Sequence, residues 1–254
     1  MRVERISRYP VKGLSAEAME AVELPPGEGL PDDRRFAFAQ GDSPFDAAAP
    51  VWLQKHHFAC LKANARIAAI RAGYDSGILR LHAPPAPAFE ADLRTEAGRN
   101  AAAAWMTDYL GDEARGTLRF AEAPGHAFTD IAAKAVSILG LNSVRALEEK
   151  VGMALDPLRF RANIHVAGGR PFAEFEWIGR EILLGGARLR VFKRTQRCPA
   201  TEVNPATAER DAKPQKWLRE HFGHTDMGVY AEVLEGGLVA LGDALEPVQA
   251  ELLA

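Results

Sequence analysis

The chain has 254 residues, 47% of them apolar and 26% charged, which is enough for one large or two small domains around sizeable cores. The balance of 31 basic against 34 acidic residues leaves a net charge of −3, which excludes a general pull toward nucleic acid and makes any anion site a local feature. Two cysteines, Cys60 and Cys198, exclude a disulfide framework, and the charged start MRVERISRYPVKG lacks a secretory signal's apolar segment. No run reaches the length of a membrane span, so a cytoplasmic protein without membrane attachment is expected.

Residues 2–9, 17–24 and 34–40 read as short strands, separated by turns such as PPGEGLPDD at 25–33. Val51–Ile70 and the GYDSGILRLHAP that follows read as further strands, with a turn at Asp75–Gly77. The alanines of Asn100–Leu110 predict a helix of about three turns, capped by Asn100 and stopped by Gly111. A strand is expected over 116–121, and Pro124–Gly125 marks a seam dividing the chain into 1–123 and 124–254. Beyond it, Ala135–Leu139 reads as a strand, and Asn142–Val151 as a helix capped by Asn142 or Ser143 whose N-terminus is a ready anion site. A strand with a glycine turn follows at 160–169, then a hairpin at 180–194 about Gly185–Gly186. Pro214–Phe222 reads as a short helix and 229–243 as a second hairpin, about Gly236–Gly237. Strands predominate, so the expected class is mixed and mainly β (α+β): a closed or nearly closed barrel with peripheral helices, preceded by a strand-rich domain that contains a helix.

Chemistry concentrates in VFKRTQRCPATEVNP, residues 191–205. Cys198 stands where a pleated strand ends and a side chain can turn toward a cleft. Lys193, Arg194 and Arg197 lie within five residues of it and would favour the thiolate, which is both a nucleophile and a soft metal ligand. YPVKG at 9–13 and DDRRF at 32–36 each place a cation at a strand boundary beside a turn. His56–His57 and His221-x-x-His224 lack the cysteines or acids that would complete a zinc spacing, so they read as surface or packing histidines. Cys60 reads as a small buried hydrophobe. Neither a nucleophile elbow, nor a phosphate loop, nor a dinucleotide fingerprint is present.

YPVKG at 9–13, DR at 33–34, FRAN at 160–163, RC at 197–198, VNPAT at 203–207 and the closing GDAL together resemble the MOSC family, whose name denotes domains similar to the C-terminal part of molybdenum cofactor sulfurases. The resemblance covers nearly the whole chain. It implies a strand-rich N-terminal companion domain, a MOSC barrel, and kinship with the mitochondrial amidoxime-reducing components and their bacterial counterparts. It further implies molybdenum cofactor (Mo-molybdopterin), with Cys198 as the metal ligand and Lys12, Arg34, Ser143, Arg161, Asn163 and Arg197 as cofactor contacts. The implied activity is reduction of a small N-hydroxylated or related N–O compound. Electrons would come from a separate ferredoxin- or cytochrome-like protein with its reductase. Two other functions fit a MOSC domain: a sulfur carrier using a Cys198 persulfide, and a cofactor-binding module without turnover. Ala162 replaces the family's usual proline, and Asn204 stands where relatives commonly carry aspartate, which would leave the field near Cys198 more positive.

Overall fold

The structure, a computed structural model, describes residues 1–248. The elements of the first half are β1 (Arg2–Arg8), β2 (Glu17–Met19), β3 (Ala21–Leu24), β4 (Ala37–Ala39), β5 (Arg71–Asp75), β6 (Ile78–His82), β7 (Phe89–Asp92), α1 (Glu96–Leu110) and β8 (Arg119–Ala121). The second half supplies β9 (Val136–Gly140), α2 (Leu141–Val151), β10 (Ile164–Ala167), β11 (Glu181–Leu184), β12 (Ala187–Gln196), α3 (Pro214–Phe222), β13 (Asp226–Glu235), β14 (Gly237–Ala240) and β15 (Leu245–Pro247). The protein is mainly β, as the strand-rich sequence predicts.

Eight strands form one sheet in the order β15-β11-β12-β13-β9-β10-β1-β2. The sheet curls until the β15 end meets the start of β1, where Val3 N–H donates to Asp243 O at 2.9 Å and Leu245 N–H donates to Met1 O at 2.8 Å. Ala187, Leu189 and Val191 of β12 are buried while Arg188 and Arg190 between them point outward, the two-residue period of a strand with one face on a core. The interior is filled by β-branched and aliphatic residues, among them Ile6, Ile138, Ile164, Ile182 and Val229, each worth about 1.5–3 kcal/mol when fully buried. β9 and β10 run parallel, with α2 lying between them in the chain. β1 pairs antiparallel with β10, so the chain's first strand is a stave of the barrel that the second half builds.

The rest of the first half carries a second core. β5, β6 and β7 form an antiparallel meander, β4 pairs with β8, and α1 supplies Ala102, Met106 and Leu110 to a cluster with Phe36, Phe38, Ile67, Leu79 and Leu81. The turn at Asp75–Gly77 is found where expected. The strands expected over Val51–Ile70 are not: this stretch holds two 3-10 turns, Lys55–His57 and Ala65–Ala69. Its apolar residues do not alternate, and Asn64 turns the chain back by accepting the Cys60 N–H at 3.3 Å. Helix α1 starts four residues before Asn100, because the Thr95 hydroxyl caps it by accepting the Gly98 N–H at 3.0 Å. The second expected hairpin is also absent: β14 pairs with β3, with Gly237 opposite Leu24 and Ala240 opposite Ala21. A side chain at Gly236 would lie 2.6 Å from Leu24 O, so only glycine lets the chain pass this close to β3.

His165 on β10 is 2% exposed, its Nε2 has no hydrogen-bond partner among the described residues, and burial pulls its pKa down to about 4. The unfolded chain binds this proton near pH 6.5 and the folded chain only near 4, so stability falls as the pH drops through that window. A shift of this size corresponds to about 2–4 kcal/mol. Urea denaturation midpoints measured from pH 7 to pH 4 are expected to flatten in a His165→Leu variant. An equally steep loss in the variant overturns this assignment.

Candidate functional site

Cys198 begins a short turn, Pro199–Glu202, at the end of β12, and its carbonyl accepts both the Thr201 N–H and the Thr201 hydroxyl at 3.0 Å. The preceding Arg197 is buried and holds this corner. Its Nη1 donates to Phe160 O at 2.6 Å, Nε donates to Met227 O at 2.8 Å, and Nη2 also donates to Met227 O. Arg197 is therefore an anchor for the strand end that carries the thiol, and its guanidinium is committed to backbone carbonyls. The neighbouring Gly228 has φ +81°, and a Cβ there would sit 2.5 Å from Ile138 O.

The cation nearest the thiol comes from 143 residues earlier in the chain. Lys55 Nζ lies 3.4 Å from Cys198 Sγ and 2.9 Å from Asp130 Oδ2, while the other Asp130 oxygen takes the Lys12 ammonium at 2.7 Å. Lys12 also donates to Phe128 O at 2.9 Å. Its side chain is only 7% exposed, and burial lowers its pKa against the pull of Asp130. Burial would raise the Asp130 carboxyl, yet the two lysines hold it far below the usual carboxylate range. Lys12 reaches this spot because Gly13, at φ +86°, packs against the 59–60 backbone, where a Cβ would come within 3.2 Å of Ala59 O.

Arg34 and Arg161 lie over the Tyr9 ring, 4.6 and 4.2 Å from its centroid. Arg34 pairs with Asp33 and donates to Arg161 O at 2.8 Å. Arg161 donates from Nη1 to Leu14 O at 2.7 Å, and its Nη2 is buried without a partner among the described residues. Burial brings the Arg161 pKa down to about 10.

These groups face one cavity of about 480 Å³, lined by Lys12, Arg34, Lys55, Arg161 and Cys198 among others. Nine of the lining residues are Lys or Arg and two, Asp33 and Asp130, are Asp, so a chain of net charge −3 keeps a strongly positive hollow. Three of the four buried side-chain atoms without a hydrogen-bond partner among the described residues, Arg159 Nε, Arg161 Nη2 and Thr195 Oγ1, belong to residues of this lining. Unpaired buried donors are costly, and they suit a ligand rich in acceptor oxygens. A more open cavity of about 800 Å³ lies beyond Asp33; of its three cations, Arg35 and Lys134 are already paired with Asp32, Glu122 and Glu28, and Arg99 donates to Leu93 O at 2.8 Å.

Of the residues singled out in the sequence, Lys12, Arg34, Arg161, Asn163, Arg197 and Cys198 are brought to the cavity and Ser143 is not. Ser143 is fully buried; its hydroxyl bonds to Glu174 at 2.9 Å and accepts the Phe172 N–H at 2.8 Å. The N-terminus of α2 is an anion site, as its sequence suggests, but the buried Glu174 carboxylate fills it and also accepts the Gly140 N–H at 3.3 Å. Asn163 accepts the Ser137 N–H and hydroxyl at 3.1 and 2.7 Å and donates to Ser7 O at 3.2 Å, which ties β10 to β9 and β1. The field expected to turn more positive at Asn204 is offset by Asp211, which accepts from Asn204 at 2.7 Å and from Arg159 at 2.6 Å. Lys55 and Asp130 were invisible as site residues: each is a single charge in a stretch without a motif, and only folding brings them together. Cys60, read as a buried hydrophobe, is buried as expected but also lines the cavity.

Among the described residues no group of three or more His, Cys, Asp or Glu is gathered as a metal cage. A metal at Cys198 therefore has to bring its other ligands with it, as one carried by an organic dithiolene does. The cationic lining, the unpartnered Arg161 Nη2 and the half-buried Cys198 thiol fit such a phosphate-bearing group.

A β-barrel of this kind, with an accompanying strand-rich domain and a thiol in a cationic hollow, defines a class, and the comparison with family models assigns it. The MOSC domain matches residues 85–246 and the MOSC N-terminal beta barrel domain matches residues 1–115. The chain belongs to the MOSC family, whose members bind the molybdenum cofactor. No curated protein sequence matches it. Among solved structures it is similar to the YuaD protein from Bacillus subtilis (16% identity, 98% of this chain and 96% of that one, TM-score 0.46). It is also similar to YiiM from Geobacillus stearothermophilus (21% identity, 47% of this chain and 56% of that one, TM-score 0.36). No helix among the described residues is long and apolar enough to cross a membrane.

Proposed function

We propose that this chain is a molybdenum cofactor-dependent oxidoreductase that reduces small N-hydroxylated or related N–O compounds, with Cys198 Sγ as the protein's ligand to molybdenum. The observation that carries the reading is the convergence on one cavity of a half-buried thiol and several cationic donors, one of which, Arg161, has a buried N–H without a partner. When bound, the cofactor supplies two-electron oxygen-atom transfer, the N–O oxygen leaving as water once two electrons and two protons arrive.

The chain's own residues bind and orient. Lys12, Arg34 and Arg161 answer the negative charge of a phosphate and pterin. Arg197 fixes the strand end that presents Cys198, and Lys55 holds an ammonium beside Sγ. A separate electron-carrier protein supplies the electrons in this reading. The test is metal and pterin analysis of protein purified from a host that makes the cofactor, followed by assay of benzamidoxime reduction with an artificial donor. Near-stoichiometric molybdenum with turnover is expected. Protein that contains neither metal nor pterin, and gains persulfide sulfur on Cys198 from a cysteine desulfurase, overturns the reading in favour of a sulfur carrier.

A further inference from the structure

Two features of the cavity lie apart from the groups around Cys198 and Tyr9. The first is Arg159, which lines the cavity, is 4% exposed, and has a buried Nε without a hydrogen-bond partner. Its other two nitrogens are engaged: Nη1 donates to Glu202 O at 3.0 Å and Nη2 pairs with Asp211 at 2.6 Å. The guanidinium is thus fixed in place while one donor stays unanswered, at a cost that a bound acceptor would remove. Thr195, 4% exposed and in the same lining, has an equally unpartnered hydroxyl.

The second feature is the rim. Lys62, Lys193 and Arg194 line the cavity and are exposed, and none of them has a carboxylate partner among the described residues. Arg194 packs its guanidinium over the Phe175 ring, 4.3 Å from the centroid, which leaves its charge unneutralised. Lys193 and Arg194 come from β12, whereas Lys62 belongs to the segment after Cys60, so the rim is positive on more than one element. An anion approaching this opening is drawn in, and the attraction weakens with salt.

We propose that the cavity has a second oxyanion station, set by Arg159 and approached past Lys62, Lys193 and Arg194, and that it receives a carboxylate or phosphate group of the substrate. This deepens the reading of the site as an N–O reductase, on which it rests, by naming the substrate class: an N–O compound that also bears an anionic oxygen group. Arg159 is separate in role from Arg34 and Arg161, which cluster about Tyr9. The fixed Nε–H orients the oxyanion, and the rim cations raise its local concentration.

The test uses protein purified from a cofactor-making host and calorimetric titration with three probes: benzoate, neutral benzamidoxime, and a benzamidoxime carrying a para carboxylate. The carboxylated compound is expected to bind at least about tenfold more tightly than the neutral one, a preference that 0.5 M salt reduces (tenfold is about 1.4 kcal/mol). Arg159→Gln is expected to abolish the preference. Because Arg159 also braces the turn after Cys198, the exposed Lys62→Glu, Lys193→Glu double variant provides a second reading, with at least a threefold loss of the same preference. Equal binding of neutral and carboxylated amidoximes, or a preference unchanged in both variants, overturns the proposal. Arg159-dependent binding of benzoate without reduction of either amidoxime supports the oxyanion station and overturns the N–O reading.

Discussion

Replacing Cys198 with alanine is expected to give a folded protein that carries no molybdenum and has lost benzamidoxime reduction. The loss should exceed the about 10–100-fold typical of removing a contact that merely supports a metal ligand. The substitution removes one sulfur from a half-buried position whose side chain makes a single polar contact among the described residues, with Lys55, so the thermal midpoint should stay within about 4 °C of wild type. Part of the pterin should remain, because Lys12, Arg34 and Arg161 are untouched. Elemental analysis and a thermal melt on the same preparation check both halves of the expectation. Metal and turnover retained without Cys198 would refute it.

The second large effect is expected at Asp130. Its two oxygens are shared between Lys12 and Lys55, so Asp130→Asn leaves Lys12 as a buried ammonium with no countercharge, answered by neutral carbonyl oxygens such as Phe128 O alone. Breaking a buried pair by removing one partner costs about 3–5 kcal/mol, and because the Asp130 side chain is 45% exposed to the cavity a loss of about 1–3 kcal/mol is expected here. The pH dependence follows from the depressed carboxyl. Its folded pKa lies below the unfolded value near 3.9, so the stabilisation is complete above that value and lost as the pH falls through the folded one. Urea midpoints of wild type and Asp130→Asn should therefore differ by a constant amount from pH 7 to about 5 and converge in stronger acid. Adding Lys12→Met to Asp130→Asn should recover part of the loss, since the orphaned charge goes with it. Equal stabilities at neutral pH would show that Asp130 does not compensate Lys12.

Much of the fold was readable because the barrel strands carry local signals. Leu189 and Val191 alternate with arginines, Gly185–Gly186 marks a two-residue turn, and Pro214 opens a helix that ends at Gly223. The errors fall where long-range contacts override local pattern. Gly236–Gly237 looks like a hairpin turn, but the strand after it finds β3 more than 200 residues earlier in the chain. The site divides in the same way. Lys12, Arg34, Arg161 and Cys198 sit in short motifs with turns or glycines around them, and these are the residues that converge. The resemblance implies a cofactor contact at Ser143 and the helix N-terminus announces an anion site, but neither announces that a buried glutamate 31 residues later will fill it. Lys55 and Asp130 had no local signal: their partnership spans 75 residues, and the contact from Lys55 to Cys198 spans 143.

The seam of the barrel has a consequence for assembly. β1 pairs with β10 on one side, while its first residues bond to residues 243–245 on the other. The stave made first must wait for those made last, and contacts so distant in sequence form slowly. The first-half core, with its meander and helix, is built from nearer neighbours and can organise sooner. Lys12 follows β1 and Cys198 follows β12, with β13, β9 and β10 between those strands in the sheet, so the cationic hollow and its thiol face each other only once these strands have paired. A chain without that pairing has the individual groups but no pocket. Any anion that fills the hollow binds the finished fold alone and so acts as a lock on it.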